Sequence, residues 1–156
     1  MAAAVEAGKK APAFSLPDQH GTTIRLKDLR GKPIVLYFYP KDDTPGCTKE
    51  ACDFRDHDTA IKKTGAVVLG VSLDDEAAHQ KFIAKYSLPF TLLCDRDAKI
   101  AKAYGVYKQK SMYGKKYWGI ERSTFVINTT GVVAMAFRKV TVEGHAQEVL
   151  SALKAL

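Results

Sequence analysis

Two uninterrupted apolar stretches, Ile34–Tyr39 (IVLYFY) and Ala66–Leu73 (AVVLGVSL), constrain this chain more than any other feature. A strand with one face in water alternates apolar and polar residues, whereas one apolar at successive positions is buried on both faces, the condition of strands in a sheet sandwiched between helices. The segments between and after them carry the helical period. Pro45 to about Lys63 places Ala51, Phe54, Asp58 and Ile61 at spacings of threes and fours, and Asp75–Tyr86 places Ala78, Phe82 and Tyr86 on one face. Thr91–Cys94 reads as a short strand and Ala98–Tyr104 as a short helix stopped at Gly105. Ser123–Asn128 and Val132–Arg138, joined by Thr129-Thr130-Gly131, read as an antiparallel hairpin, and Gly144–Leu156 as a closing amphipathic helix. Ahead of these, Ala13–Leu16 and Thr22–Leu26 flank a turn at Asp18–Gly21, an N-terminal β-hairpin extension. The expected fold class is α/β, a central mixed sheet flanked by helices on both faces. In such sheets sites form beyond the carboxyl ends of the strands, which is where Pro40–Cys47 lies.

Composition stays even along all 156 residues, without repeats or a dividing linker, so one domain spanning 1–156 is expected. A chain of this size buries about two-thirds of its unfolded surface and needs neither a disulfide scaffold nor a structural metal. No run approaches the roughly 20 apolar residues of a membrane span. Met1–Ala13 lacks the apolar core of a secretory signal. These absences predict no membrane partner and a reducing, cytoplasmic compartment, where cysteines are catalytic, metal-binding or inert rather than bridged. The net charge of +7 favours solubility and attraction to anions.

The most informative segment is PKDDTPGCTKEAC, Pro40 to Cys52. Thr44 suits a helix N-cap and Pro45 the first helical position, which makes Cys47 the third helical residue. A capping box puts a carboxylate there, within reach of the unpaired first-turn N–H groups. Those amides and the helix dipole favour a thiolate at the same seat. Ionisation alone is a small effect, because a free thiol is already about 3% ionised at pH 7 and full ionisation gains only about 30-fold. A more acidic thiolate is also a weaker nucleophile. The acceptor must therefore be activated too, by the N–H groups around Gly46 and Cys47, the Thr44 hydroxyl and a cation brought from elsewhere.

Cys52 lies five residues on, roughly 8.6 Å away between Cα atoms and about 140° around an ideal helix. A disulfide needs Cα atoms within about 7 Å and converging side chains. The two cannot bond while the helix is intact, yet can if its first turns unwind, which predicts a switch between folded thiolate and locally unfolded disulfide. Two unrelated cysteines on different helix faces is the plainer alternative. The spacing matches no recognised zinc pattern. Cys94 reads as a packed, inert thiol, Arg55 as a partner in a surface ion pair, and His57 and His79 as helix-surface residues. Lys108–Trp118 interleaves bases and aromatics; it reads as a solvated loop rimming the site, with nucleic-acid binding as the less favoured alternative.

PKDDTPGCTKEACDFRD resembles the active-site segment of the peroxiredoxins of the bacterioferritin comigratory protein, or peroxiredoxin Q, subfamily. The similarity extends through GVSLDD at Gly70–Asp75, KYSLPFTLLCD at Lys85–Asp95, YGV at Tyr104–Val106, RSTFVI at Arg122–Ile127 and GHAQEVL at Gly144–Leu150. The pattern PxxxTxxC is met by Pro40, Thr44 and Cys47. The resemblance implies a thioredoxin-like fold and reduction of hydrogen peroxide and organic hydroperoxides without metal, haem or flavin. It implies Cys47 as the peroxidatic cysteine, Thr44 as hydrogen-bonding peroxide and thiolate, Pro40 as the pocket's shield, Arg122 as the fixed cation and Glu50 as orienting the arginine. Thr44, Gly46, Cys47 and Arg122 would then bind substrate. Cys52 would be the resolving cysteine, closing a Cys47–Cys52 disulfide recycled by thioredoxin or a glutaredoxin-like dithiol protein, in a monomer. A general thiol-disulfide oxidoreductase, and a basic nucleic-acid-binding or holdase module with incidental cysteines, are the competing readings.

Overall fold

The computed structural model describes residues 5–156; residues 1–4, the start of the Met1–Ala13 stretch that lacks a secretory signal's apolar core, lie outside the described residues. Its centre is a five-stranded sheet in which β3 (Ile34–Phe38), β4 (Val67–Ser72) and β5 (Thr91–Cys94) run parallel, while β8 (Ser123–Ile127) pairs antiparallel with β3 and β9 (Val133–Phe137) with β8, in the order β5-β4-β3-β8-β9. The helices are α1 (Pro45–Asp56), α2 (Asp58–Lys63), α3 (Glu76–Tyr86), α4 (Lys99–Ala103) and α5 (His145–Lys154). β1 (Ser15–Pro17) and β2 (Thr23–Arg25) form the expected N-terminal hairpin.

The two apolar runs divide their side chains between two cores because successive strand residues point to opposite faces. Ile34, Leu36 and Phe38 pack on one side with Leu69, Val71, Phe125, Ile100 and Ala101 of α4, and Tyr104 just after it, closed by Phe14 and Leu16 of the N-terminal segment. Val35, Tyr37 and Tyr39 pack on the other with Ala51 and Phe54 of α1, Ile61 of α2, Phe82 of α3 and Val149, Leu150 and Leu153 of α5. β3 is the central strand and its last residues carry the chain directly into α1, so the position of α1 is set by the most buried element of the molecule.

Two expectations are corrected. The helix read from Pro45 to Lys63 is two helices broken at His57 (φ −98°, ψ 4°), whose N–H turns to the carbonyls of Asp53 and Phe54. Asp58, Thr59 and Lys62 are poor material for extending a buried stripe, and the break lets Ile61 reach the core independently. Lys108–Trp118 is not a loop: β6 (Tyr107–Met112) and β7 (Lys115–Ile120) pair as a separate hairpin about a turn at Tyr113 and Gly114, both with positive φ. Most of its strand residues are exposed and only Ile120 is buried, so the in-out alternation that reveals a strand is missing from the sequence.

Gly70 makes the sheet's packing exacting. A Cβ there would lie 2.7 Å from Leu92 Cδ2 and 2.9 Å from Tyr37 Cζ. Gly70→Ala should destabilise the protein by about 1–3 kcal/mol through overpacking, read as a lower urea midpoint at unchanged slope.

Candidate active site

The β3–α1 connection delivers Cys47 to the third position of α1. Thr44 occupies the N-cap with extended backbone (φ −101°, ψ 155°) and Pro45 the first turn. The helix opens with a bond from Thr48 N–H to Thr44 O of 2.8 Å. The amides of Gly46 and Cys47 precede it and have no acceptor within the helix. The Thr44 side chain does not cap them: its hydroxyl donates to the Lys41 carbonyl at 2.8 Å, which leaves the oxygen's lone pairs as acceptors at the helix mouth.

Cys47 is buried although Gly46 beside it is exposed. Arg122, between β7 and β8, reaches over it. One guanidinium nitrogen, Nη2, donates to Cys47 Sγ at 3.4 Å, and the other, Nη1, donates to Glu50 Oε1 at 2.7 Å. A Cβ on Gly46 would stand 3.0 Å from Arg122 Nη2, so the glycine is what lets the arginine approach. Cys47 and Glu50 are three residues apart and share one helix face, which explains how a single planar fork serves both. The fixed cation called for by the sequence is thus next to the sulfur, and Glu50 is its partner.

Glu50 is 2% exposed, and its second oxygen, Oε2, is buried without a hydrogen-bond partner. Burial pushes its pKa from 4.5 up to about 7, with Arg122 opposing that rise. Around neutral pH this carboxyl therefore switches between an acid and an ion-pair partner of Arg122. Burial also works against the arginine's charge, but Glu50 and Cys47 outweigh it and hold its pKa above the usual value.

Cys52 lies two turns along the same unbroken helix, half-buried, and all three cysteines are free thiols. Cys94 ends β5, buried, with Sγ 3.9 Å from the Asp18 carbonyl, and burial pushes its thiol up to about 12, which fits an inert packed group. Arg55 pairs with Asp56 at 3.0 Å and donates to the Tyr86 carbonyl at 2.8 Å, tying the end of α1 to the end of α3. Pro40 lines an apolar groove with Leu73, Met112, Tyr117 and Trp118, where the β6–β7 hairpin borders the site.

One placement corrects the sequence reading. His79 is not on the surface but fully buried, with Nδ1 2.6 Å from Asp42 Oδ2 and Nε2 2.9 Å from the Leu93 carbonyl. Its spacing of three and seven from Phe82 and Tyr86 places it on their stripe, a signal the sequence did contain. Asp42, Asp74 and Ser72, which join it in one hydrogen-bonded cluster, carry no comparable signal.

A thiol in the first turn of a helix that leaves a parallel strand, with an arginine from the antiparallel side of a thioredoxin-like sheet on its sulfur, is the arrangement of a peroxiredoxin, a thiol peroxidase. The comparisons agree. The AhpC/TSA family profile matches residues 7–136, and the chain belongs to that family. It is 51% identical over 150 residues to peroxiredoxin Bcp of Bacillus subtilis, covering 96% of each chain. Among solved structures it matches Xanthomonas campestris peroxiredoxin Q with a TM-score of 0.89 and 46% identity over 96% of this chain and 97% of that one. A second structure, of the X. campestris bacterioferritin comigratory protein, described for its alkyl peroxide reduction activity, matches with a TM-score of 0.89 and 45% identity, over 96% and 98%. The chain is accordingly a peroxidase of the peroxiredoxin Bcp/Q group, and among the described residues no helix is long and apolar enough to cross a membrane.

The Glu50 pKa fixes a pH dependence. Because the folded state holds the proton more tightly than the unfolded chain, Glu50 lowers stability progressively as pH rises from 4.5 towards about 7 and adds no slope above that. Urea unfolding across this window should show the decline in the native protein and lose it in Glu50→Gln. The Glu50 carboxyl carbon should titrate near neutrality by NMR.

Proposed function

We propose that Cys47 is the peroxidatic thiolate and Cys52 its resolving partner, in the reduction of hydrogen peroxide and organic hydroperoxides. The contact of Arg122 Nη2 with Cys47 Sγ carries the reading, since it puts a fixed positive charge where both the thiolate and the leaving oxygen need one. The thiolate attacks one peroxide oxygen as the O–O bond breaks. Cys47 becomes a sulfenic acid, and the other oxygen leaves as alkoxide or hydroxide and takes a proton to give alcohol or water. Arg122 and the Gly46 and Cys47 amides stabilise the negative charge as it moves from sulfur to oxygen. Thr44 Oγ1, whose own proton is engaged by Lys41, accepts from the peroxide O–H and orients it. Pro40 closes one side of the pocket, and Glu50 sets the guanidinium plane.

Resolution needs α1 to open. Once its first turns unwind, the Cys52 thiol attacks the Cys47 sulfenic acid, water leaves, and a disulfide forms between residues that intact helix geometry keeps apart. A dithiol protein, thioredoxin or a glutaredoxin-like relative, then returns both cysteines to thiols and is itself oxidised. Nothing in the cycle requires a second copy of the chain, and a cytoplasmic monomer is the simplest form consistent with it.

Trypsin cleavage at Lys41, Lys49 and Arg55 places the two cysteines on separate peptides, Asp42–Lys49 and Glu50–Arg55. One equivalent of peroxide should join them, and thioredoxin should release them. Cys47→Ser should abolish peroxide consumption, whereas Cys52→Ser should complete one turnover and stop at the sulfenic acid. Normal thioredoxin-driven turnover by Cys52→Ser would remove Cys52 from the resolving role. Arg122→Ala should slow the second-order peroxide reaction by about 100-fold or more, read by stopped flow on the reduced protein.

A further inference from the structure

The loop that carries Pro40 and Thr44 into α1 is held from one side by α3. Asp43 adopts a left-handed conformation (φ 56°), and its carboxylate accepts from Lys85 Nζ and Tyr86 Oη, each at 2.8 Å, at the exposed end of α3. The adjacent Asp42 is held internally. Its N–H donates to Asp74 Oδ2 at 2.9 Å, and Asp74 is fixed in turn by Ser72 Oγ at 2.6 Å, at the end of β4. Its carboxylate accepts from Tyr39 Oη at 2.5 Å through one oxygen and faces His79 Nδ1 at 2.6 Å through the other.

The His79 ring meets an acceptor at each nitrogen. The Leu93 carbonyl can only accept, so Nε2 carries a proton, and the Asp42 carboxylate asks for a second one on Nδ1. The groups facing the ring are the Asp42 carboxylate from the loop, the Leu93 carbonyl from β5 and Asp74 from the β4–α3 connection. Burial opposes the imidazolium, but these three outweigh it and raise the His79 pKa above its ordinary value. An exposed pair such as Lys85–Asp43 gives way easily, whereas a buried charge pair cannot lose one member without stranding the other. The inner contact is therefore the stronger tether on the loop.

We propose that His79 is a positioning residue of the thiol site: its buried ion pair with Asp42 fixes the Pro40–Thr44 loop, and so the N-cap from which Cys47 is presented. This rests on Cys47 being the reactive thiol. The tether lies on the strand side of Thr44, outside the helical turns that must open for a Cys47–Cys52 disulfide. The loop thus stays anchored to α3, β4 and β5 while α1 unwinds, and the reduced helix reforms on the same cap.

The decisive experiment couples a kinetic and a spectroscopic readout. In the reduced protein at 25 °C, far below the unfolding transition, His79→Gln and Asp42→Asn should each lower the second-order rate with hydrogen peroxide about tenfold, and the double variant should fall no further. Imidazole ¹⁵N shifts followed through a pH titration of the native protein should show both His79 nitrogens staying protonated to higher pH than in an ordinary histidine. Unchanged rates in folded single variants, additive losses, or a His79 ring that loses its second proton no later than an ordinary histidine would each overturn the proposal. If His79→Gln does not fold, Asp42→Asn kinetics and the ring shifts of the native protein still decide it. Peroxide reduction surviving in Cys47→Ser would instead sink the reading of the thiol site while leaving the state of the His79 ring measurable.

Discussion

The guanidinium of Arg122, shared between the sulfur of Cys47 and the carboxyl of Glu50, is the contact on which the site depends. It joins parts of the chain more than 70 residues apart in sequence, the first turns of α1 and the start of β8. Both ends are set by the sheet: α1 leaves β3, and β8 lies beside β3 in antiparallel register with Ser123 opposite Phe38. The pairing of two neighbouring strands therefore brings the cation to the thiol. A slip of one residue in that register would turn Arg122's neighbours to the wrong faces. The rest of the core serves this alignment.

The same contact places two demands on α1. Its first turn must be formed for Cys47 to meet Arg122 and the free amides, yet the proposed chemistry of Cys52 requires that turn to open. The structure separates these needs spatially. Cys47, Ala51 and Phe54 pack α1 into the core, while Pro45 and Gly46 at its start are exposed. On the strand side the chain is pinned by Asp42 within its buried cluster, and at the far end Arg55 ties α1 to α3. Opening between these two fixed points has to withdraw the buried Cys47 and Glu50 from Arg122 while the rest of α1 holds.

The sheet was legible because burial on both faces leaves an unbroken apolar run, as at Ile34–Tyr39, and the chemistry because Thr44-Pro45-Gly46-Cys47 states a helix start and a thiol in its first turn. The β6–β7 hairpin was not legible, since strands that bury so few of their residues have no regular alternation to read. His79 was misplaced for a related reason: a charged imidazole is assigned to water unless its partner is known, and Asp42 lies 37 residues earlier. The break at His57 was hidden because the spacing of Ile61 from Phe54 fits one continuous helix as well as two.

The sequence by itself determined the α/β class, the strands and helices of the central sheet's layers apart from the break at His57, the thiol at the helix start and the second thiol too far along the helix to bond with it. These are local properties, fixed by hydrophobic period, capping chemistry and helix geometry. The resemblance named Arg122 as the cation, but only the tertiary structure decided how closely it meets Cys47, that Glu50 is buried enough to hold its proton towards neutrality, and that His79 turns inward to Asp42. Each of these depends on distances between segments remote in the chain and on how completely water is excluded between them. Spacing along one strand or helix carries neither quantity.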